Sequence, residues 1–158
     1  MTDMTEADKG HIRIIWQKLF VDPEANGRTV VLRLFTDHPE TKKYFKTFKS
    51  ISTQEEMQKS AQIKRHGKAV MNELNKIIEN LGDWNAACDI LTTMAERHVH
   101  VHKVEVNNFQ IIFAVIIKIM EESLGTIFTP EIRESWLKYF NILYNYLADC
   151  YRNLEAAS

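Results

Sequence analysis

The chain has little of what cross-linked scaffolds, sheets and membrane proteins are built from. Among its 158 residues are two cysteines, five glycines and three prolines. Cys88 and Cys150 are too few for a disulfide framework and fit a reducing compartment. With proline only at 23, 39 and 130, breakers are scarce, which favours long helices over a sheet with many turns. Lys and Arg number 20 against 21 Asp and Glu, so the net charge of −1 gives nucleic acid no electrostatic footing. The longest apolar stretch, 109–120, contains Gln110 and Lys118 and is too short to span a bilayer. The opening MTDMTEADKG has no apolar h-region of a signal peptide, and Thr2 excludes N-myristoylation. No repeat, low-complexity run or linker divides the chain. The expectation is one cytoplasmic domain over 1–158 that binds neither nucleic acid nor membrane. The GxSxG, GxGxxG and P-loop patterns are absent too, which leaves hydrolase, dinucleotide and nucleotide readings without support.

What is present reads as helix after helix. Ile12, Ile15, Trp16, Leu19 and Phe20 form one apolar side, ending before Asp22-Pro23. Val30, Val31, Leu34 and Phe35 form a second, which stops near Pro39 because proline pushes the preceding residue out of the α region. Pro39 then opens a short third helix. Thr53-Gln54-Glu55-Glu56 is a capping box, and the pattern after it predicts one long helix to about Leu81, terminated by Gly82. Its inner stripe is Ile63, Gly67, Val70, Leu74, Ile77, Ile78 and Leu81. Asp83 caps a helix with the stripe Ile90, Leu91, Met94, Ala95 and His98. An apolar helix begins near Asn107 or Asn108. Thr129-Pro130-Glu131 starts the last one, through Tyr151, with a cap, a first-turn proline and an acid on the helix dipole.

Two histidines stand out on this frame. His66 lies beside the inner stripe of the long helix, and His98 lies on the stripe of the next. An isolated histidine in such a place is more often a core residue satisfied by a neighbour. Two of them on separate helices, with the aromatic segment YFKTFK upstream, suit imidazoles facing across a flat apolar cofactor. That is how a chain holds a haem iron with one ligand and controls its other face with a second group. Gly67 adds to this, because a helical glycine costs about 1 kcal/mol relative to alanine and has a use where another backbone comes close. Gly27, inside the second helix, is the candidate partner for such a crossing. The run HVHVH at 98–102 reads as a metal cluster if it is a strand. As a helix end it puts His98 and His102 on one face and turns His100 away. No acid or cysteine at matching spacing completes a tetrahedral zinc site.

The segments HPETKKYFKTFK, EEMQKSAQIKRHGKAV and RHVHVHKVEVNNF resemble the vertebrate globins, chiefly the myoglobin and cytoglobin branch. The likeness covers about residues 8–153, and its spacings match as well: Phe45 to His66, and His66 to His98. It implies an all-α globin fold of about eight helices around a haem pocket. His98 matches the proximal iron ligand, and His66 the distal histidine, itself an iron ligand only if the haem is six-coordinate. Phe45 matches the phenylalanine that wedges the porphyrin, and Val70 the distal valine. His102 matches a position near a propionate. Tyr151 matches a tyrosine whose hydroxyl bonds the backbone near Val104. Trp16, Gly27 and Gly67 also fall on family positions. The chain departs at Val31, where relatives usually carry leucine in the distal pocket, and at Thr47, where many myoglobins carry a basic residue. Pro23 and Lys68 replace the cysteine pair of cytoglobin, so redox control through that disulfide is not implied.

The cofactor expected is haem b, held in an apolar wall of Phe45, Val70, Met94, Val104, Phe109, Ile112 and Leu143. The function implied is reversible O₂ binding for storage or supply, with CO and NO as further gaseous ligands, in a monomer or weak homodimer. A hydrogen bond from His66 to a dioxygen ligand contributes roughly 1.5–3 kcal/mol, as for other charged acceptors. The rival reading is a cytoglobin-like redox globin with bis-histidine haem. It acts in nitric oxide dioxygenation, nitrite reduction or redox sensing, and as an enzyme it needs a separate reductase partner.

Overall fold

The helix starts are set by side-chain oxygens. Thr5, Asp22, Ser60, Asp83 and Thr129 each accept from the backbone amide three residues on, at 3.0–3.2 Å. These bonds satisfy donors that a helix leaves unpaired in its first turn. The computed structural model describes residues 3–44 and 53–157. Within them run α1 (Glu6–Leu19), α2 (Pro23–Asp37), a short 3-10 helix (Pro39–Tyr44), α3 (Gln54–Lys59), α4 (Ala61–Glu79), α5 (Trp84–Arg97), α6 (Asn107–Leu124) and α7 (Pro130–Ala157). Among the described residues there is no strand, and no helix is long and apolar enough to cross a membrane. The all-α architecture expected from the sequence is the one observed.

Three local expectations are corrected. The single long helix from Thr53 is two helices, because Ser60 sits in extended geometry (φ −70°, ψ 120°) and caps α4 through the Ile63 amide. Gly82 does not terminate α4. The helix ends at Glu79, and Asn80 caps it, its side-chain amide donating to the Lys76 carbonyl at 2.8 Å. The strand alternative for HVHVH fails, since His98–His102 forms a wide π-type turn that ends at Lys103 in the left-handed region (φ 54°).

The core is continuous from α1 to α7. Ile12, Ile15, Leu91, Trp136 and Leu143 have no exposed surface. Trp16 packs on Trp136 with centroids 6.3 Å apart, and its indole N–H donates to Asn75 of α4 at 2.9 Å. Asp8 ties α1 to α7. It accepts from Ser135 at 2.7 Å and pairs with Lys138 at 2.7 Å, and these partners hold its carboxyl well below the usual carboxylate range.

The position of α4 is fixed by one close approach. A Cβ on Gly67 would lie 2.3 Å from the Gly27 carbonyl carbon and 2.6 Å from the Arg28 amide. A Cβ on Gly27 would lie 2.1 Å from the Gly67 carbonyl oxygen. Both obstacles are backbone, so neither can swing aside. Gly67→Ala is therefore expected to lower stability by about 1–3 kcal/mol through overpacking, even though alanine alone favours a helix by about 1 kcal/mol. Gly10→Ala on α1, with nothing within 4 Å, shows the propensity gain without the clash. Urea unfolding of both variants checks this, and a higher midpoint for Gly67→Ala would remove the crossing from the account.

Candidate functional site

The crossing sets α4 over a cavity of about 690 Å³ bounded by α2, α4, α5, α6 and α7. That volume lies within the ordinary range of small-molecule pockets, roughly 300–1,000 Å³. Its wall is mainly aliphatic and aromatic, with Leu34, Leu74, Leu91, Ile116 and Leu147 among the lining residues. His66 enters from α4 and His98 from the end of α5, one turn after Met94, so both imidazoles line one cavity.

His98 is oriented by its own helix. Its Nδ1 lies 2.7 Å from the Met94 carbonyl oxygen, which only accepts, so the neutral ring carries its proton on Nδ1 and its lone pair on Nε2. A backbone carbonyl behind a histidine is the arrangement that fixes tautomer and ring direction in metal-ligating imidazoles. The Phe109 ring lies 4.9 Å from that of His98, and the His102 ring 5.1 Å away. Burial lowers the pKa of His98, opposed by the bond to Met94. Burial also pulls His66 down to about 4, with His102 and then His98 adding to the effect. At neutral pH both rings facing the cavity are uncharged.

Of the residues singled out in the sequence, the structure brings together His66, Val70, Met94, His98, His102, Val104, Phe109 and Ile112 on this cavity. Phe45 and Thr47 lie outside the described residues. Leu143 belongs to the core and Leu147, one turn later, faces the cavity instead. Val31 is completely buried, and it is Leu34 of the same helix that lines the cavity. Sequence reasoning also missed Thr41 and Tyr44 of the 3-10 helix and the Glu73–Arg97 ion pair at the cavity edge, 2.5 Å long. A pairing from one helix to another between such distant positions leaves no mark in the sequence pattern. His100 is exposed, as the helix-end reading required, and no group of three metal-ligating side chains occurs among the described residues.

The corner after His98 is held from α7. The Tyr151 hydroxyl donates to the Val104 carbonyl at 2.8 Å, and the Val104 amide donates to the His98 carbonyl at 2.9 Å. Burial raises the Tyr151 pKa, so the hydroxyl remains a donor across the physiological range.

A helical cradle in which two imidazoles line one largely apolar cavity suits a flat apolar cofactor, and comparison with known proteins points to the family. The globin family model matches residues 28–147. Cytoglobin-2 of Danio rerio is 34% identical over 148 residues, covering 94% of this chain and 83% of the relative. Cytoglobin-1 of Danio rerio is 36% identical over 142 residues, covering 89% and 82%. Cytoglobin-1 of Oryzias latipes is 30% identical over 140 residues, covering 89% and 79%. The chain belongs to the globin family, on its vertebrate cytoglobin branch. The family implies haem binding and small gaseous ligands such as O₂, and the apolar wall with its two imidazoles fits that group.

Tyr151→Phe tests the corner. Losing the hydroxyl leaves the Val104 carbonyl without that donor, at a cost of about 1 kcal/mol. A lower thermal midpoint with faster amide exchange around Val104 is expected. Unchanged exchange there would mean that the corner is held without α7.

Proposed function

We propose that His98 is the proximal ligand of a b-type haem, that His66 is the distal residue, and that the protein binds O₂ reversibly in the cytoplasm for storage or supply. The observation that carries this reading is the pair of neutral imidazoles lining one apolar cavity, with Nδ1 of His98 engaged by its own helix. Haem held there supplies a ferrous iron that binds O₂, CO or NO. His98 contributes the Nε2 lone pair, and the Met94 carbonyl keeps that nitrogen deprotonated. His66 contributes an N–H that favours a polar diatomic ligand over a less polar one, by roughly 1.5–3 kcal/mol. Val70, Met94, Phe109 and Ile112 exclude water, which disfavours charge separation. Val104 and His102 border the pocket at the corner after His98. Phe45 completes the proposed set on the strength of the family resemblance alone. The whole chain is read as one globin domain, a monomer or weak homodimer.

A second reading has its own support. His66, His98 and His102 all line the same cavity. A bis-histidine haem would then put the protein in nitric oxide dioxygenation, nitrite reduction or redox sensing, with a reductase as partner. Open-site binding needs no additional conformational step and is the reading adopted.

His98→Gly is expected to yield apoprotein, or holoprotein only with added imidazole. Unaltered histidine ligation in that variant would defeat the assignment. His66→Leu separates the two readings. For a carrier it speeds O₂ dissociation by about tenfold or more, at roughly 1.4 kcal/mol per decade, and changes CO far less. A parent ferrous spectrum that is six-coordinate and becomes five-coordinate in His66→Leu would establish the bis-histidine form instead.

A further inference from the structure

Two cavities in this molecule share one side chain. Besides the cavity between the histidines, an open groove of about 460 Å³ runs between α6 and α7. Phe113 of α6 lines both. Its ring lies flat on that of Phe140 of α7, with centroids 4.3 Å apart and planes 3° from parallel. Phe140 borders the groove and is not among the residues lining the inner cavity. At Phe113 the wall between the groove and the inner cavity is therefore one aromatic ring thick.

The chemistry of the wall and of the groove point the same way. Phenylalanine has no polar atom, so no hydrogen bond pins the Phe113 ring, and only packing resists its rotation. The groove floor continues the apolar surface through Ile117 and Leu137, while Lys118, Glu121 and Arg133 stand among its lining residues. Arg133 is taken up by Glu121 at 2.5 Å. Such a surface welcomes a small uncharged molecule and offers an ion no buried partner, because apolar surroundings penalise charge.

We infer that the α6/α7 groove is a second port to the inner cavity for small uncharged gases, with Phe113 as its gate. The inference rests on the haem reading proposed above, since it assigns the gas a destination. Leu137 lines the groove and does not line the inner cavity. Filling the groove at Leu137 thus tests the port from outside, without altering the space around the histidines.

The experiment is laser photolysis of the CO complex of the full-length holoprotein, recording geminate and bimolecular rebinding. Leu137→Trp is expected to slow bimolecular CO rebinding by about threefold or more, a change that needs only a small rise in barrier. Phe113→Ala is expected to do the reverse, with a smaller geminate fraction. Azide binding to the ferric form of Leu137→Trp should stay at the parental rate, because an anion does not use an apolar port. If Leu137→Trp leaves CO rebinding unchanged while Phe113→Ala alters it, Phe113 acts only inside the cavity and the port is overturned. Equal slowing of CO and azide in Leu137→Trp would also overturn it, as a general disturbance of the pocket. A parent protein that forms no CO complex at all would overturn the haem reading itself, an outcome that blocking a port does not produce.

Discussion

The contact between Gly27 and Gly67 is the constraint on which the rest depends. Two helices ordinarily approach to 8–10 Å because side chains intervene. Here neither helix has a side chain at the crossing, and an added Cβ would fall within 2.1–2.3 Å of the other backbone. The long α4 is therefore seated directly on α2, and its height over the cavity is set by backbone rather than by adjustable side chains. His66 immediately precedes Gly67, so the residue that enters the cavity is attached to the least compliant point of the helix. Val70, one turn further on, inherits the same placement.

The opposite side of the cavity is fixed by a different device. That side lies at the end of α5. There the helix widens into the turn His98–His102, and Lys103 closes it in the left-handed region. A lysine pays a strain cost there that glycine would not. The turn is retained through hydrogen bonds: Val104 back to His98, and Tyr151 of α7 to Val104. Packed against this corner, the ring of Phe109 lies 4.9 Å from His98 and 6.0 Å, edge-on, from Tyr151. One histidine is thus held by steric exclusion at a helix crossing and the other by a chain of polar bonds around a corner.

These two devices were unequally legible in the sequence. The crossing could be read because a glycine inside an amphipathic helix is a local anomaly with few uses, and two such glycines suggest each other. The histidines could be read because each sits at a definite place on an apolar stripe. The caps at Asp83 and Thr129 could be read because they depend on residues only three apart. The break at Ser60 was not legible: the capping signal at Thr53 is strong, and a serine about two turns on is compatible with either a continued helix or a new start. Nor could the choice between Leu143 and Leu147 be made, since both fall on the same face of α7 and both are buried, while Leu147 is the one that lines the cavity. Nor does the pattern separate Val31 from Leu34, of which Leu34 lines the cavity. Periodicity gives the buried side of a helix but does not divide that side between core and cavity. The ion pair of Glu73 and Arg97 and the stacked rings of Phe113 and Phe140 join residues far apart in the chain, and no spacing rule carries such information.

The apolar wall that makes the cavity suitable for a flat hydrophobic group also determines the protonation of the histidines inside it. Burial is the largest influence on both His66 and His98, and in each case it disfavours the charged ring. An imidazole must be neutral to offer a lone pair, and it must keep one N–H to act as a donor. His98 meets the first requirement with its proton directed to Met94, which commits the tautomer. At His66 burial is the largest cause of neutrality, and His102 and then His98 add to it. A histidine whose tautomer is committed, as at His98, suits a permanent bond through its other ring nitrogen.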